Sequence, residues 1–397
     1  MQVLIAGKGV ISAIGNNVQE TLTSLKNLHS GVDKISVLKT NYSSKLPAAE
    51  VKISNEELAR MAGLETTAPR TALLSMIAAK EALQDANIPN IHQWRTGFIS
   101  ANTVGAMDKT EDIYKFYMAD NSTPHLREES NYDSGEVTEL VADKLGVIDH
   151  ITTISTACSS SANTIMYAAR MIKNGLLDVV VAGGTDGMSR FTLNGFNSLM
   201  ILDDKPCTPY DDNRKGLNLG EGAGYVVLVS DQVAATLSKK PIAAVTGYAN
   251  ANDAFHQTAS SPEGKGNFLA MTGALEMSGL NPEDIDYINL HGTGTMNNDL
   301  SEGMAVQRIF TKVPRVSSTK PYTGHTLGAC AGIEAVFCMM SMEHNLIFPN
   351  LRFKTKMKEL DFLPVTELQE GVDVNHAMSN SFGFGGNCSS LIFSKVN

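Results

Sequence analysis

The chain runs through nearly the same order of elements twice, and this repetition restricts its fold more than any single motif does. Each half opens with an apolar strand, over residues 2–7 and 242–247. Each continues into an Ala-rich helix, over 72–86 and 268–277, closing on the similar phrases Ala82-Leu-Gln-Asp-Ala-Asn-Ile and Ala274-Leu-Glu-Met-Ser-Gly-Leu. A strand then leads to a Gly/Thr loop, over 96–105 and 286–294. A strand–turn–helix follows, around Cys158 in one half and from Arg315 into a helix over 329–343 in the other. Both halves end in a strand after a glycine cluster, over 220–229 and 385–393. Chance similarity of generic segments is the weaker account of an order that matches through five elements. Strands alternating with helices imply βαβ crossovers and buried mixed sheets. Two such halves, 1–235 and 236–397, would face each other, with the site built from loops at the C-terminal ends of strands in both.

Composition narrows the function classes. A chain of 397 residues with 43% hydrophobic and 19% charged residues has the make-up of a globular protein with a large core. Formal net charge is −10 and no Lys/Arg cluster offsets it, which argues against nucleic acid and anionic membranes as partners. The opening reads as a first strand, without a basic n-region or cleavage site, and no apolar run is long enough to span a bilayer. Five cysteines at irregular spacing argue against a disulfide framework, and no CxxC pair or HExxH motif suggests zinc. The cytoplasm is the expected compartment.

The chemistry gathers on four islands. Around Cys158, Ile151-Thr-Thr-Ile-Ser-Thr-Ala-Cys-Ser-Ser-Ser reads as a β-branched strand, a small-residue turn and the entry to a helix over 162–174. A thiol there meets unpaired N–H groups and the positive end of the helix dipole, which favour thiolate. Leu290-His-Gly-Thr-Gly-Thr, Lys320-Pro-Tyr-Thr-Gly-His-Thr-Leu-Gly and Ser379-Asn-Ser-Phe-Gly-Phe-Gly-Gly are the other three. One Cys and two His in glycine-rich turns are the parts of a covalent acyl-transfer site. Singly, His291 or His325 reads as structural, and the shared Gly/Thr context reverses this. His29, His92, His125 and His344 read as surface or packing residues, and Cys207, Cys330 and Cys338 as buried small hydrophobes. Cys388, beside the glycine cluster, is ambiguous. The Met-rich stretch at 338–342 reads as core or pocket wall.

Together and in this order, the islands resemble the β-ketoacyl-acyl-carrier-protein synthases of the elongating Cys-His-His type, over essentially the whole chain. The resemblance implies the thiolase-like α/β fold: two pseudo-symmetric halves, each with a mixed five-stranded sheet, layered αβαβα. It implies decarboxylative Claisen condensation, in which Cys158 holds an acyl chain as a thioester while a malonyl thioester loses CO2. His291 and His325 would donate two N–H bonds to the enolate oxygen. The backbone N–H groups of Cys158 and Phe384 would serve the tetrahedral oxyanion. Lys320 would form a buried support with Glu334. Thr293 and Thr295 would line a phosphopantetheine arm, and Phe382 and Phe384 the acyl path, with Phe384 as a gate. No metal and no resident cofactor is expected, because the phosphopantetheine arrives on an acyl-carrier protein. Arg214 and Lys215, with Lys205 nearby, form the candidate docking patch for that carrier, against the equally plain reading of a solvated loop. The chain would pair with a second copy or with a Cys-less homologue.

Asn387-Cys388 stands where Thr-Asn is usual in this family, and the segment 102–111 looks closer to relatives in polyene or polyketide pathways. These departures bear on the substrate and leave the chemistry alone. A thiolase would need a second catalytic Cys in the C-terminal glycine loop. A CoA-primed initiating synthase would resemble a Cys-His-Asn site, and a chain-length partner subunit would lack Cys158. A plain cysteine hydrolase offers no role for a second His.

Overall fold

The computed structural model describes residues 2–88, 90–119 and 133–396. Its strands are β1 (Val3–Ser12), β2 (Thr96–Ala101), β3 (His150–Ile154), β4 (Val179–Asp186), β5 (Gly222–Ser230), β6 (Ala243–Asn252), β7 (Tyr287–Asn289), β8 (Arg315–Ser317), β9 (Leu346–Ile347), β10 (Gln369–Glu370), β11 (His376–Gly383) and β12 (Asn387–Lys395). The helices are α1 (Val18–Lys26), α2 (Asn55–Ala62), α3 (Arg70–Ala86), α4 (Met107–Ala119), α5 (Ser134–Leu145), α6 (Ser160–Lys173), α7 (Arg190–Ser198), α8 (Asp231–Ala234), α9 (Lys265–Ser278), α10 (Met296–Ile309), α11 (Lys320–Thr323) and α12 (Cys330–His344).

The main sheet has the order β3-β2-β4-β5-β1-β6-β12-β11-β7-β8. Read inward from each edge, the two halves match strand for strand. β2–β3 and β7–β8 are parallel, as are β2–β4 and β7–β11. The pairs nearer the middle, β4–β5 with β5–β1 and β11–β12 with β12–β6, are antiparallel. This is the repeat expected from the sequence: two mixed five-stranded sheets. They are joined into one by a short antiparallel contact, Leu4 against Ala244 and Ile5 against Ala243.

Five layers follow from which faces are apolar. α3 packs on β1, β5 and β4, and α5 beside it on β2 and β3, covering the outside of the first sheet. α9 packs on β6 and β12, with α10 against it, outside the second. α6 and α12 lie between the sheets. The thirteen residues from Cys330 to Met342 of α12 are all buried, as suits a helix that is apolar on every side. α12 approaches β5 backbone to backbone: a Cβ on Gly224 would meet Ile333 N at 2.4 Å. Side chains from α6, α12 and both sheets form the central core, including Ile165, Ile172, Ile333, Phe337, Val226 and Leu391. Each such large side chain stabilises the fold by about 1.5–3 kcal/mol. The two central helices thus begin from rigid positions, and each begins at a reactive turn.

Candidate active site

The first turn joins β3 to α6. Ala157 takes a left-handed φ of 53°, uncommon for a residue with a Cβ. Hydroxyls hold the bend. Thr156 N donates to Ser160 Oγ at 2.8 Å, Ser159 Oγ to the Thr156 carbonyl at 2.8 Å, and Asn163 Nδ2 to Thr156 Oγ1 at 2.8 Å. The Ser/Thr run in the sequence is therefore the scaffold of the turn. Cys158 follows the bend, 7% exposed, and faces a cavity of about 220 Å³. Gly383 lies against it, where a Cβ would come within 2.9 Å of Cys158 N.

The second turn joins α11 to α12. Leu327 repeats the left-handed bend with φ 53°, three residues ahead of its helix as Ala157 is ahead of α6. Its N–H donates to His325 Nδ1 at 3.1 Å. The loop is stapled to the first half: His325 N donates to the Asn218 carbonyl at 2.7 Å, and Gly220 N to the His325 carbonyl at 2.9 Å. Asp186, at the end of β4, accepts from Gly328 N at 2.7 Å and from Thr103 Oγ1 at 2.8 Å. Burial pushes its carboxyl up to about 6, against the pull of these donors.

His291 leaves β7 on a loop carried by two acids of α10. Glu302 accepts the N–H groups of His291 and Gly292, each at 2.9 Å, and Asp299 accepts Thr293 N at 2.9 Å. Burial raises the Glu302 carboxyl to about 7. Behind the ring, Lys320 Nζ lies 3.3 Å from His291 Nδ1 and 2.6 Å from Glu334 Oε1. Burial works against the Lys320 charge, and the adjoining Glu334 carboxylate overcomes it, holding the ammonium above its ordinary range. Burial, Lys320 and His325 together hold His291 well below the usual imidazole value.

These contacts assign the tautomers. A backbone N–H and an ammonium are donors only, so both Nδ1 atoms carry lone pairs and both protons sit on Nε2. The rings lie 5.6 Å apart at 82°. A ring nitrogen from each and Cys158 Sγ all fall within 4.8 Å of one another. With each Nδ1 turned onto its donor, the site presents one thiol and two N–H groups to a common point.

The cavity collects the other expected residues. Thr293 and Thr295 line it with their hydroxyls 2.9 Å apart. The Phe382 ring stands edge-on to His291 at 6.2 Å. Phe384 lies parallel to Phe196 at 5.9 Å, and Phe196 reaches His325 at 6.5 Å. Sequence reasoning missed Phe196, Thr258 and Ser260 in the lining, and Asp186, Asp299 and Glu302 beneath it. The two α10 acids left a readable trace: carboxylates eight and eleven residues after His291, one helical turn apart, at the start of a helix.

Arg214 is a correction. It is 4% exposed, donates to the carbonyls of Asp211, Thr295 and Met296, and lies 3.6 Å from Asp299. Its charge is consumed in holding the start of α10, so it has none to offer a docking partner. Lys215 is exposed and lines the cavity, and Lys205 is exposed nearby. Among the described cysteines only Cys158 lines that cavity. Burial pushes Cys207 and Cys330 up to about 11 and Cys388 to about 12, and raises Cys338 as well. Cys388 Sγ points to Asn267 Oδ1 at 3.2 Å and is absent from the cavity wall. The Met339, Met340 and Met342 side chains belong to the central core. His29, His92 and His344 are exposed, while His125 lies outside the described residues. Among the described residues no helix is long and apolar enough to cross a membrane.

Known proteins resemble the chain over most or all of its length. Two family models match: the beta-ketoacyl synthase N-terminal domain over residues 1–234 and the beta-ketoacyl synthase C-terminal domain over 242–354. The 3-oxoacyl-[acyl-carrier-protein] synthase 2 of Staphylococcus aureus (strain MRSA252) is 32% identical over 416 aligned residues, covering 100% of this chain and 98% of that protein. The protein of the same name from Rhizobium meliloti (strain 1021) is 35% identical over 335 residues, 80% of this chain and 79% of its own. Among solved structures, the ishigamide ketosynthase/chain length factor superposes with a TM-score of 0.91 at 28% identity, covering 100% of this chain and 99% of that one. A ketosynthase in complex with its chain length factor, from Xenorhabdus doucetiae, gives 0.84 at 28% identity, covering 100% and 98%. The chain belongs to the β-ketoacyl synthase family.

Proposed function

We propose that the chain elongates acyl groups by decarboxylative Claisen condensation, with Cys158 as nucleophile and malonyl-acyl-carrier protein as extender. The carrying observation is that both imidazoles have Nδ1 occupied by donors, so two N–H groups converge beside one thiol. An acyl group first moves from its carrier to Cys158 Sγ. The malonyl carboxylate then leaves as CO2, and its bonding electrons pass into an enolate whose oxygen accepts from His291 and His325. The enolate carbon attacks the Cys158 thioester, and collapse of the tetrahedral oxyanion expels the thiol sulfur. One proton is consumed per turnover and ends on Cys158. Backbone N–H groups of Cys158 and Phe384 serve that oxyanion, and Gly383 leaves the space beside the first of them. Lys320 and Glu334 position His291. Thr293 and Thr295 take the pantetheine arm, which arrives on the carrier and is no resident cofactor. Phe384 gates the path beside Cys158.

The pathway reads as fatty-acid or polyketide elongation in the cytoplasm. Carrier docking falls to Lys215 at the cavity mouth, in place of Arg214. A thiolase reading is weaker because Cys388 is turned away from the cavity. For assembly, edge strand β3, with Ile151 and the preceding Ile148 exposed, is the face for a second copy or a Cys-less homologue.

Cys158→Gln tests the division of labour. Its amide mimics the acylated thiol and leaves both histidines untouched, so condensation should vanish while malonyl decarboxylation stays measurable. Loss of both activities in a folded variant contradicts the assignment.

A further inference from the structure

One sulfur and two imidazole nitrogens, buried and within 4.8 Å of one another beside a cavity, are also a donor set for zinc and other thiophilic cations. Ligation through Nε2 needs the lone pair of that atom. The imidazole then carries its proton on Nδ1 and hands it to an acceptor, as metal-bound histidines generally do. Here the reverse is built. Nδ1 of His325 meets the Leu327 N–H at 3.1 Å, and Nδ1 of His291 meets the Lys320 ammonium at 3.3 Å. To ligate a metal, each ring would have to set N–H against N–H or surrender its second proton. Lys320 also places a positive charge behind the rings, fixed by Glu334 at 2.6 Å. Carbonyls at both positions would have made a metal site of the same three residues.

We infer that the donors behind the two histidines keep thiophilic divalent cations out of the site, and that removing the Lys320 donor opens a latent two-ligand zinc site of Cys158 and His291, while the Leu327 N–H still holds His325 out of it. The same hydrogen bonds that aim two N–H groups at an enolate leave the thiol free in the presence of cellular zinc. The inference rests on the proposed donor role of the histidines only through their tautomers, and metal binding is read without any turnover.

Zinc is titrated against a chromophoric chelator in wild-type protein, Lys320→Gln and Lys320→Arg, and cobalt is used to report thiolate ligation by its charge-transfer absorption. Lys320→Gln offers an oxygen to a proton on His291 Nδ1 and leaves Glu334 uncompensated. It should bind one zinc per chain about 10- to 100-fold more tightly than wild type, the usual weight of a ligand's hydrogen-bond partner. The gain should disappear in Lys320→Gln/Cys158→Ala. Lys320→Arg keeps both donor and charge and should bind as weakly as wild type. Tight, Cys158-dependent zinc binding by the wild-type protein overturns the inference, as does a Lys320→Gln variant with no gain. If thermal melts show Lys320→Gln unfolded, Lys320→Met removes the same donor, and absence of any gain there is equally decisive. None of these outcomes alters the expected behaviour of Cys158→Gln, so failure here and failure of the condensation reading are separable.

Discussion

The turns before α6 and before α12 are the same bend put to different uses. Both carry a left-handed residue with a Cβ three positions ahead of a buried helix, Ala157 in one and Leu327 in the other, each at φ 53°. In the first, the bend throws the next side chain, Cys158, into the cavity. In the second, it folds an amide back onto a ring two residues earlier, fixing His325 as a donor. The duplicated fold therefore supplies the geometry, and the local sequence decides whether the turn presents its own side chain or uses a backbone N–H to orient a neighbouring one. One consequence is that the His325 tautomer is set by main chain and is immune to most side-chain changes. The His291 tautomer depends on one replaceable lysine.

The largest expected break in this comparison separates the two turns by the step they serve. His325→Ala should lower malonyl decarboxylation by about 10²- to 10³-fold, the weight of one oxyanion donor, while Cys158 still acylates. Intact-mass detection of the acyl-enzyme beside a decarboxylation assay checks this. Equal loss of acylation and decarboxylation would mean that the turns do not divide the reaction.

The equivalence of the bends is sharpened by branching each at Cβ. Ala157→Val and Leu327→Ile should each destabilise the fold by about 1–3 kcal/mol, since a β-branched residue resists positive φ. Chemical denaturation reads both. A large effect at one and none at the other shows that only one turn is strained.

The last effect concerns the loop that neither turn supplies. Glu302 holds the His291 and Gly292 amides, with its carboxyl raised to about 7 by burial. Because the folded value lies above the unfolded one, near 4.3, the folded state binds the proton more tightly. Its stabilising share is complete below about pH 4, is lost as pH rises towards 7, and stays lost above. Glu302→Gln should flatten that part of the stability–pH curve by a few kcal/mol at most. Melts of both proteins at pH 5 and pH 8 decide it, and parallel curves would refute the assignment.

Much of this was legible in the sequence because it is local. Strand and helix order, the Ser/Thr turn around Cys158 and the paired Gly/His islands are set by neighbours in the chain, and the strand order bears out the two-half reading. Arg214 misled for the opposite reason. The run Asp212-Asn-Arg-Lys-Gly has the make-up of a solvated loop, yet its guanidinium is enclosed by carbonyls some eighty residues away, at Thr295 and Met296. Asp186 and Phe196 were invisible on the same grounds, since Asp186 gains its role only when Gly328 arrives from the other half. The tautomers lay between these cases. The residues were in view, but the donor to His325 is a main-chain atom, and no residue letter records it.

The place of β1 in the sheet also has a consequence in time. Of the described strands it is the first to be synthesised, and its ladder partners are β5 and the start of β6. Gln2 N, at its leading end, bonds Asp231 across a separation of 229 residues. At about 5–20 residues per second, that strand waits roughly 10–50 s for its partner to be synthesised. Through that interval ten residues that all end up buried have only the helices α1, α3 and α6 to shelter against. A nascent chain halted shortly before residue 222 holds Cys158 but lacks every strand that closes β1 into the sheet.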